Sequence, residues 1–382
     1  MIRLRRFKTF CLSLLFLIVS WIGFLPPASA ATLAPNISLG GLSPAPLISY
    51  LPPGNAITDG GALLRYALPI DNDEIRKIQG DLEGLSEWLR SKRWGPIKKD
   101  VTKVERVLSR DRDRILAAVP TDRQGRAAAL LDSLAAGLEP LREAAGNQDR
   151  EGVWQARADL LKQVTQIEEL MVTEYPFAVP QEYSDLPQLK GRAAVEFMTS
   201  QGGPITVVVD GYSAPVTAGN FIDLVNRGFY DGLPFIRAED FYVLQTGDPE
   251  GPAEGFIDPK TDEYRAIPLE ILVEGDDAPL YGVTLEEIGR FMDSPVLPFQ
   301  AYGTVAMARP ESDKNGASSQ FFFFLFDAAL TPAGLNLLDG RYAVFGYAVE
   351  GDEVLGKLGQ GDRIESAKVV SGMENFVPPQ SA

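Results

Sequence analysis

The chain has 382 residues, of which 36 are Lys or Arg and 52 are Asp or Glu, and its formal charge of −16 argues against nucleic acid as a partner because a phosphate backbone would be repelled. It contains no histidine, which removes the commonest general base, the Ser-His and Cys-His nucleophile pairs and histidine-bearing zinc sites. At roughly 100 to 200 residues per domain, the length is that of two domains once any targeting segment is removed.

The single cysteine, Cys11, lies in an N-terminal apolar run. Arg3, Arg5, Arg6 and Lys8 form a basic start, residues 10–25 are almost wholly apolar, and Ala28-Ser29-Ala30 is a small-residue cleavage site. This is the pattern of a secretory signal peptide over residues 1–30. The competing reading is an uncleaved membrane anchor, although the run stops short of the about 20 residues that span a bilayer. Cleavage after Ala30 leaves an exported chain without cysteine, with no dependence on disulfides and no transmembrane segment.

Residues 31–70 are rich in Pro, Gly and Ser, with Pro35, Pro44, Pro46, Pro52 and Pro53 spoiling any regular hydrogen-bond ladder, and read as an irregular leader. Over residues 71–175 the pattern becomes helical. Ile75, Ile78, Leu82, Leu85 and Leu89 recur every three or four residues, and Trp94-Gly95-Pro96 ends that helix. A second helix starts near Pro96 and aligns Ile97, Val101, Val104, Leu108 and Ile115. After Pro120-Thr121-Asp122, a third carries Leu130 or Leu131, Leu134, Leu138 and Leu141; after Gly146-Asn147, a fourth from about Asp149 carries Val153, Leu160, Val164, Ile167 and Met171. Each apolar stripe must be covered and short turns make neighbours antiparallel, so the four form an up-down bundle whose stripes are ordinary core.

Pro176, Pro180 and Pro187 mark a linker over residues 176–192, and residues 193–375 change to a period of two. Residues 193–198 and 205–209 read as strands joined through Gly202-Gly203 as a hairpin. Alternating strands without a parallel crossover continue to about Val370, the pattern a closed antiparallel barrel requires.

Several motifs in this second half occur in the order found in the cyclophilin family. Ala214-Pro215-Val216-Thr217-Ala218-Gly219-Asn220-Phe221 with Gly228-Phe229-Tyr230-Asp231-Gly232 resembles the family's first helix and the turn after it. Leu233-Pro234-Phe235-Ile236-Arg237 and Val243-Leu244-Gln245-Thr246-Gly247-Asp248 resemble the strand pair bearing the catalytic arginine and a peptide-binding glutamine. Gly303-Thr304-Val305-Ala306-Met307-Ala308-Arg309, Ser318-Ser319-Gln320-Phe321-Phe322 and Leu338-Asp339-Gly340-Arg341-Tyr342-Ala343-Val344-Phe345-Gly346 resemble the remaining binding strands. The resemblance implies an eight-stranded antiparallel β-barrel capped by helices, with an active groove on its outer face and peptidyl-prolyl cis-trans isomerase activity.

That reaction is rotation about an X-Pro amide, slow because resonance makes the bond partly double. No proton or covalent bond need move, so neither histidine nor a cofactor or metal is required. The catalyst must favour the twisted amide, holding the proline in an apolar pocket and donating a hydrogen bond toward the imide nitrogen. An always-charged guanidinium suits this role. By the resemblance, Arg237 is the catalytic arginine, Gln245 holds the substrate backbone and Gln320 supports it. Tyr242 and Val243 stand where the family usually has Phe and Met, while Phe322 and Leu338 match pocket residues directly. Ala308 and Arg309 replace an Ala-Asn pair and Tyr342 a histidine, as in bacterial members. Leu337 stands where many members have the tryptophan that contacts cyclosporin, implying weak drug binding. Ala238-Glu239-Asp240 places an acidic pair beside Arg237 that can pair with it and blunt it.

The segment between Asp248 and Gly303 is longer than the usual family connection. It holds a strand-like Ile267-Pro268-Leu269-Glu270-Ile271, similar to a bacterial Ile-x-x-Glu strand, and residues 284–292, an amphipathic helix with a Thr-x-x-Glu capping box. The whole chain, with its run Gln245-Thr246-Gly247-Asp248-Pro249-Glu250-Gly251-Pro252-Ala253-Glu254-Gly255-Phe256, resembles the large thylakoid-lumen cyclophilins of cyanobacteria and plants, a family associated with photosystem II assembly and maintenance. That implies proline-containing polypeptide clients, photosystem II subunits among them, and a lumenal or periplasmic location. The second functional class is a catalytically weak cyclophilin-fold binding or assembly module regulated by its helical domain.

Overall fold

The computed structural model describes residues 57–379 except 174 and 327–336; the signal segment and the leader up to residue 56 lie outside the described residues. The end of the leader differs from the sequence expectation, because it forms a helix, α1 (Gly60–Ala67). Asp59 caps it, its carboxylate accepting the Ala62 amide at 2.7 Å, and Leu63 and Leu64 find an apolar surface to bury against. Tertiary burial overrides the proline-rich composition upstream.

The bundle comprises α2 (Asp73–Arg90), α3 (Trp94–Arg110), α4 (Arg112–Ala117), α5 (Gln124–Asn147) and α6 (Arg150–Met171). The predicted second helix breaks at Asp111 into α3 and α4, yet Ile115 still enters the common core. α2 packs on α3 and α6, and α5 on the same two helices, so the stripes of all four predicted helices meet in one cluster. Of the Leu130/Leu131 alternatives, Leu131 is the fully buried one. Asn72 and Asp149 cap α2 and α6 through their side-chain oxygens. Within this core Glu168 is buried beside Arg76 at 3.3 Å, and burial holds its carboxyl well above the usual range.

The linker makes a single turn and then β1 (Gln188–Leu189). The second half continues through β2 (Arg192–Thr199), β3 (Pro204–Asp210), α7 (Pro215–Asn226), β4 (Arg237–Glu239) and β5 (Val243–Thr246). The long insertion holds two small hairpins, β6 (Ile257–Asp258) with β7 (Glu263–Tyr264) and β8 (Glu270–Ile271) with β9 (Leu280–Tyr281). After it come β10 (Thr304–Met307), β11 (Phe321–Phe324), β12 (Val344–Glu350), the short α8 (Asp352–Leu355), β13 (Ile364–Ser371) and β14 (Phe376–Val377), which pairs with β1.

Eight strands form one antiparallel sheet in the order β13-β2-β3-β12-β10-β11-β5-β4. The sheet curls until the segment before β4 meets the segment before β13, where the Phe235 amide donates to Asp362 at 2.7 Å and that of Ile364 to Leu233 at 3.0 Å. Successive side chains point to opposite faces, so Phe321 and Phe323 pack inside with Phe197, Phe221 and Phe345, while Phe322 and Phe324 face outward. α7 buries Phe221 and Leu224 in the interior cluster. Its N-terminus is closed by Glu270, which accepts the Val216 and Thr217 amides at 3.2 and 2.8 Å.

Residues 284–292 do not form the predicted helix. The capping box closes, with the Thr284 amide and the Glu287 carboxylate at 3.1 Å and the Glu287 amide reaching the Thr284 hydroxyl at 3.3 Å, but only turns follow. Gly289 takes φ +75°, and the Arg290 amide turns back to Leu285, which stops propagation.

Candidate active site

The outward face of β10, β11, β5 and β4 gathers most of the residues singled out in the sequence. Strand register places Arg237 opposite Gln245, Gln245 opposite Phe322, and Phe322 opposite Ala306, a continuous row across four strands. The neighbouring row runs Glu239, Val243, Phe324 and Thr304. One polar edge, carrying the guanidinium and an amide, therefore adjoins an apolar floor.

Gln245 is held from behind. Its Nε2 donates to Gln320 Oε1 at 2.8 Å, and Gln320 Nε2 donates to Asp248 at 3.0 Å and to the Glu254 carbonyl at 2.9 Å. This relay fixes both amides and leaves Gln245 Oε1 without a donor among the described residues. Burial, and Glu254 beside it, raise the pKa of the Asp248 carboxyl.

Arg237 is half exposed, and its Nε donates to Glu239 Oε1 at 2.7 Å, with Nη2 on the same oxygen. Residues two apart on a strand share a face, which is why Glu239 and not Asp240 takes the guanidinium. The pairing anticipated from Ala238-Glu239-Asp240 is thus present.

The apolar floor consists of Val243, Ala306 and Phe322, with Leu338, Tyr342 and Ala308 packed at its margin. Tyr342 meets Phe322 edge-on at 5.5 Å, and Arg309 stacks its guanidinium over Tyr342 at 5.2 Å while donating to the Arg341 carbonyl. Tyr242 lies at the rim, its ring edge-on to Phe324 at 5.9 Å. Leu337 is not drawn in, being 86% exposed.

Sequence reasoning missed the residues that cover this floor. Phe299, from the insertion, lies nearly parallel to Phe322 with centroids 6.1 Å apart and edge-on to Phe324 at 5.4 Å, and Leu297 joins it. Phe322 is left 6% exposed. The available signal was Leu297-Pro298-Phe299, apolar residues stiffened by proline immediately before β10. Leu63 and Leu64 of α1 extend the same outer cluster over β12, where Gly60 lies so close that a Cβ would come within 2.7 Å of the Tyr347 Cβ.

Comparison with known proteins agrees with this architecture. Residues 59–172 match the family model described as peptidyl-prolyl cis-trans isomerase CYP38-like, PsbQ-like domain, and residues 194–374 match that of the cyclophilin-type peptidyl-prolyl cis-trans isomerases. A protein of Synechocystis sp., bearing the name of a thylakoid lumen peptidyl-prolyl cis-trans isomerase, is 58% identical over 331 residues, covering 87% of this chain and 87% of its own. The chloroplastic peptidyl-prolyl cis-trans isomerase CYP38 of Arabidopsis thaliana is 43% identical over 368 residues, covering 94% of this chain and 84% of its own. With likeness extending through both halves, the chain belongs to the cyclophilin-type peptidyl-prolyl cis-trans isomerases that carry a CYP38-like helical domain ahead of the cyclophilin domain.

Proposed function

We propose that the chain isomerises X-Pro bonds in exported polypeptides of the thylakoid lumen, assisting their folding or assembly, with photosystem II subunits among its clients. The observation that carries the catalytic part is the Arg237, Gln245, Phe322 row, which sets a guanidinium and an oriented amide beside an apolar floor. The lumenal part rests on the names of the relatives and on the basic, apolar and A-x-A segments of residues 1–30. Among the described residues no helix is long and apolar enough to cross a membrane.

In this reading the proline ring packs on the floor formed by Val243, Ala306 and Phe322, with Leu338 at its margin, and Gln245 holds the peptide backbone. As the amide twists, conjugation is lost and the imide nitrogen gains a lone pair. Arg237 donates to that lone pair, an interaction stronger in the twisted state than in either planar form. Gln320 acts through Gln245 by fixing its orientation. Tyr242, Ala308, Arg309 and Tyr342 would shape specificity around the pocket.

The alternative, a catalytically weak binding or assembly module, is favoured by two particulars within the barrel: Glu239 on Arg237, and Phe299 over Phe322. Protease-free NMR exchange on a short Ala-Pro peptide tests the proposal. Catalysed exchange that Arg237→Ala abolishes is expected; no exchange with the intact chain would favour the binding module.

A further inference from the structure

The helical and barrel halves leave between them a cleft of about 1070 Å³. One wall is α5 and α6, the other is β2, β3 and the end of β12, and α1 closes one side. The strand order puts β2 and β3 beyond β12 from the candidate active site, so the cleft and the groove occupy different parts of the barrel surface.

The lining of this cleft runs against the charge of the molecule. In a chain of formal charge −16, Arg and Lys outnumber Asp and Glu among the described residues that line it. Three of these cations, Arg126, Arg157 and Lys190, make no ion pair with a carboxylate among the described residues. Arg126 is exposed and makes no hydrogen bond or ion pair among the described residues, and Lys190, also exposed, stands over the Tyr175 ring at 5.7 Å. Arg157 donates to the Leu82 carbonyl at 2.9 Å and stacks on Trp154 at 5.2 Å.

Arg192, from the floor of the cleft, is 6% exposed. Its Nε and Nη2 are held by Asp210 at 2.7 and 2.6 Å, and Nη2 also donates to the Leu64 carbonyl. Nη1 is ion-paired with the Glu169 carboxylate at 3.8 Å. Of the other carboxylates lining the cleft, Glu350 is engaged by Lys162 at 2.7 Å, Asp59 by Arg65 at 3.7 Å and Asp122 by Arg123 at 3.7 Å.

We propose that this cleft binds an acidic stretch of polypeptide, its carboxylates meeting Arg126 and Lys190. The volume exceeds the roughly 300–1,000 Å³ typical of small-molecule pockets. The exposed side-chain amide of Gln166 supplies a further partner for a peptide backbone. Proline is not required, so the site is independent of the isomerase reading.

The test is fluorescence anisotropy of the purified chain with a short, proline-free, fluorescein-labelled peptide of alternating Glu and Ala. Because the protein as a whole repels such a peptide, binding reports a local site. Saturable binding that weakens with added salt is expected, with none to the matching Lys-Ala peptide. Arg126→Glu combined with Lys190→Glu should weaken it about tenfold while leaving exchange on an Ala-Pro peptide unchanged. Both positions are exposed; should the reversed charges disturb folding, Arg126→Gln with Lys190→Gln gives the same reading with a smaller loss. No saturable binding at low salt, or equal binding by folded variants, would overturn the proposal. Displacement of the peptide by inorganic phosphate at equal charge concentration would overturn it in favour of a small-anion site.

Discussion

The contact between Glu239 and Arg237 sets up a measurement that separates restraint from support. The two side chains are 49% and 51% exposed, so the ion pair is screened and its strength is of the order of 0.2–1 kcal/mol. If the guanidinium must leave that carboxylate to reach the imide nitrogen, Glu239→Gln should raise kcat/KM about 1.5- to 5-fold. Loss of the donor itself is far larger: Arg237→Ala should cost about 2.7–4 kcal/mol, roughly a hundredfold to a thousandfold. The two effects must not add. In the Arg237→Ala background, Glu239→Gln should change nothing, since it acts only through the guanidinium. NMR exchange on an Ala-Pro peptide, with chemical denaturation to confirm folding, measures all four members of the cycle. A lower rate for Glu239→Gln alone would show that the carboxylate orients Arg237 instead of restraining it. An equal effect in both backgrounds would refute the contact as the route of action.

Phe299→Ala uncovers Phe322, so affinity for a proline peptide should rise while stability falls by about 3–5 kcal/mol, read by titration and by urea unfolding; weaker peptide binding in a folded variant would make Phe299 part of the pocket wall. Burial raises the Glu270 carboxyl from 4.5 to about 7 despite the two α7 amides it accepts. The folded chain therefore holds this proton more tightly than the unfolded one, and its stabilising contribution, present below about pH 4.5, is lost as pH rises through about 7, a change of about 3 kcal/mol. Urea midpoints between pH 4.5 and pH 8 should show that fall, flattened in Glu270→Gln; an undiminished slope in the variant would assign it to other groups. A fragment of residues 71–175 should give a strongly helical circular dichroism spectrum by itself, since its stripes close on one another; a mainly β or unfolded spectrum would show that the bundle needs the barrel.

Much of the fold was legible in the sequence because the signals are local and periodic. The residues of each helical stripe all reach one core, and the period of two in Phe321-Phe322-Phe323-Phe324 separates interior from outer face without reference to any other strand. The same period placed Glu239 beside Arg237. The motifs around Arg237, Gln245 and Phe322 identified the family, and register then aligned them as a row. Composition misled at α1: proline upstream says nothing about Leu63 and Leu64, whose helix is stabilised by a surface distant in sequence. The predicted helix over residues 284–292 failed for the complementary reason, since a closed capping box cannot propagate past Gly289 at positive φ. What only the tertiary structure decided are the encounters between remote segments: Phe299 laid on Phe322, α1 wedged over β12, and cations from α5, α6 and β2 brought around one cleft. No periodicity encodes these. Each depends on how far two packed halves approach, a distance set by the side chains of both.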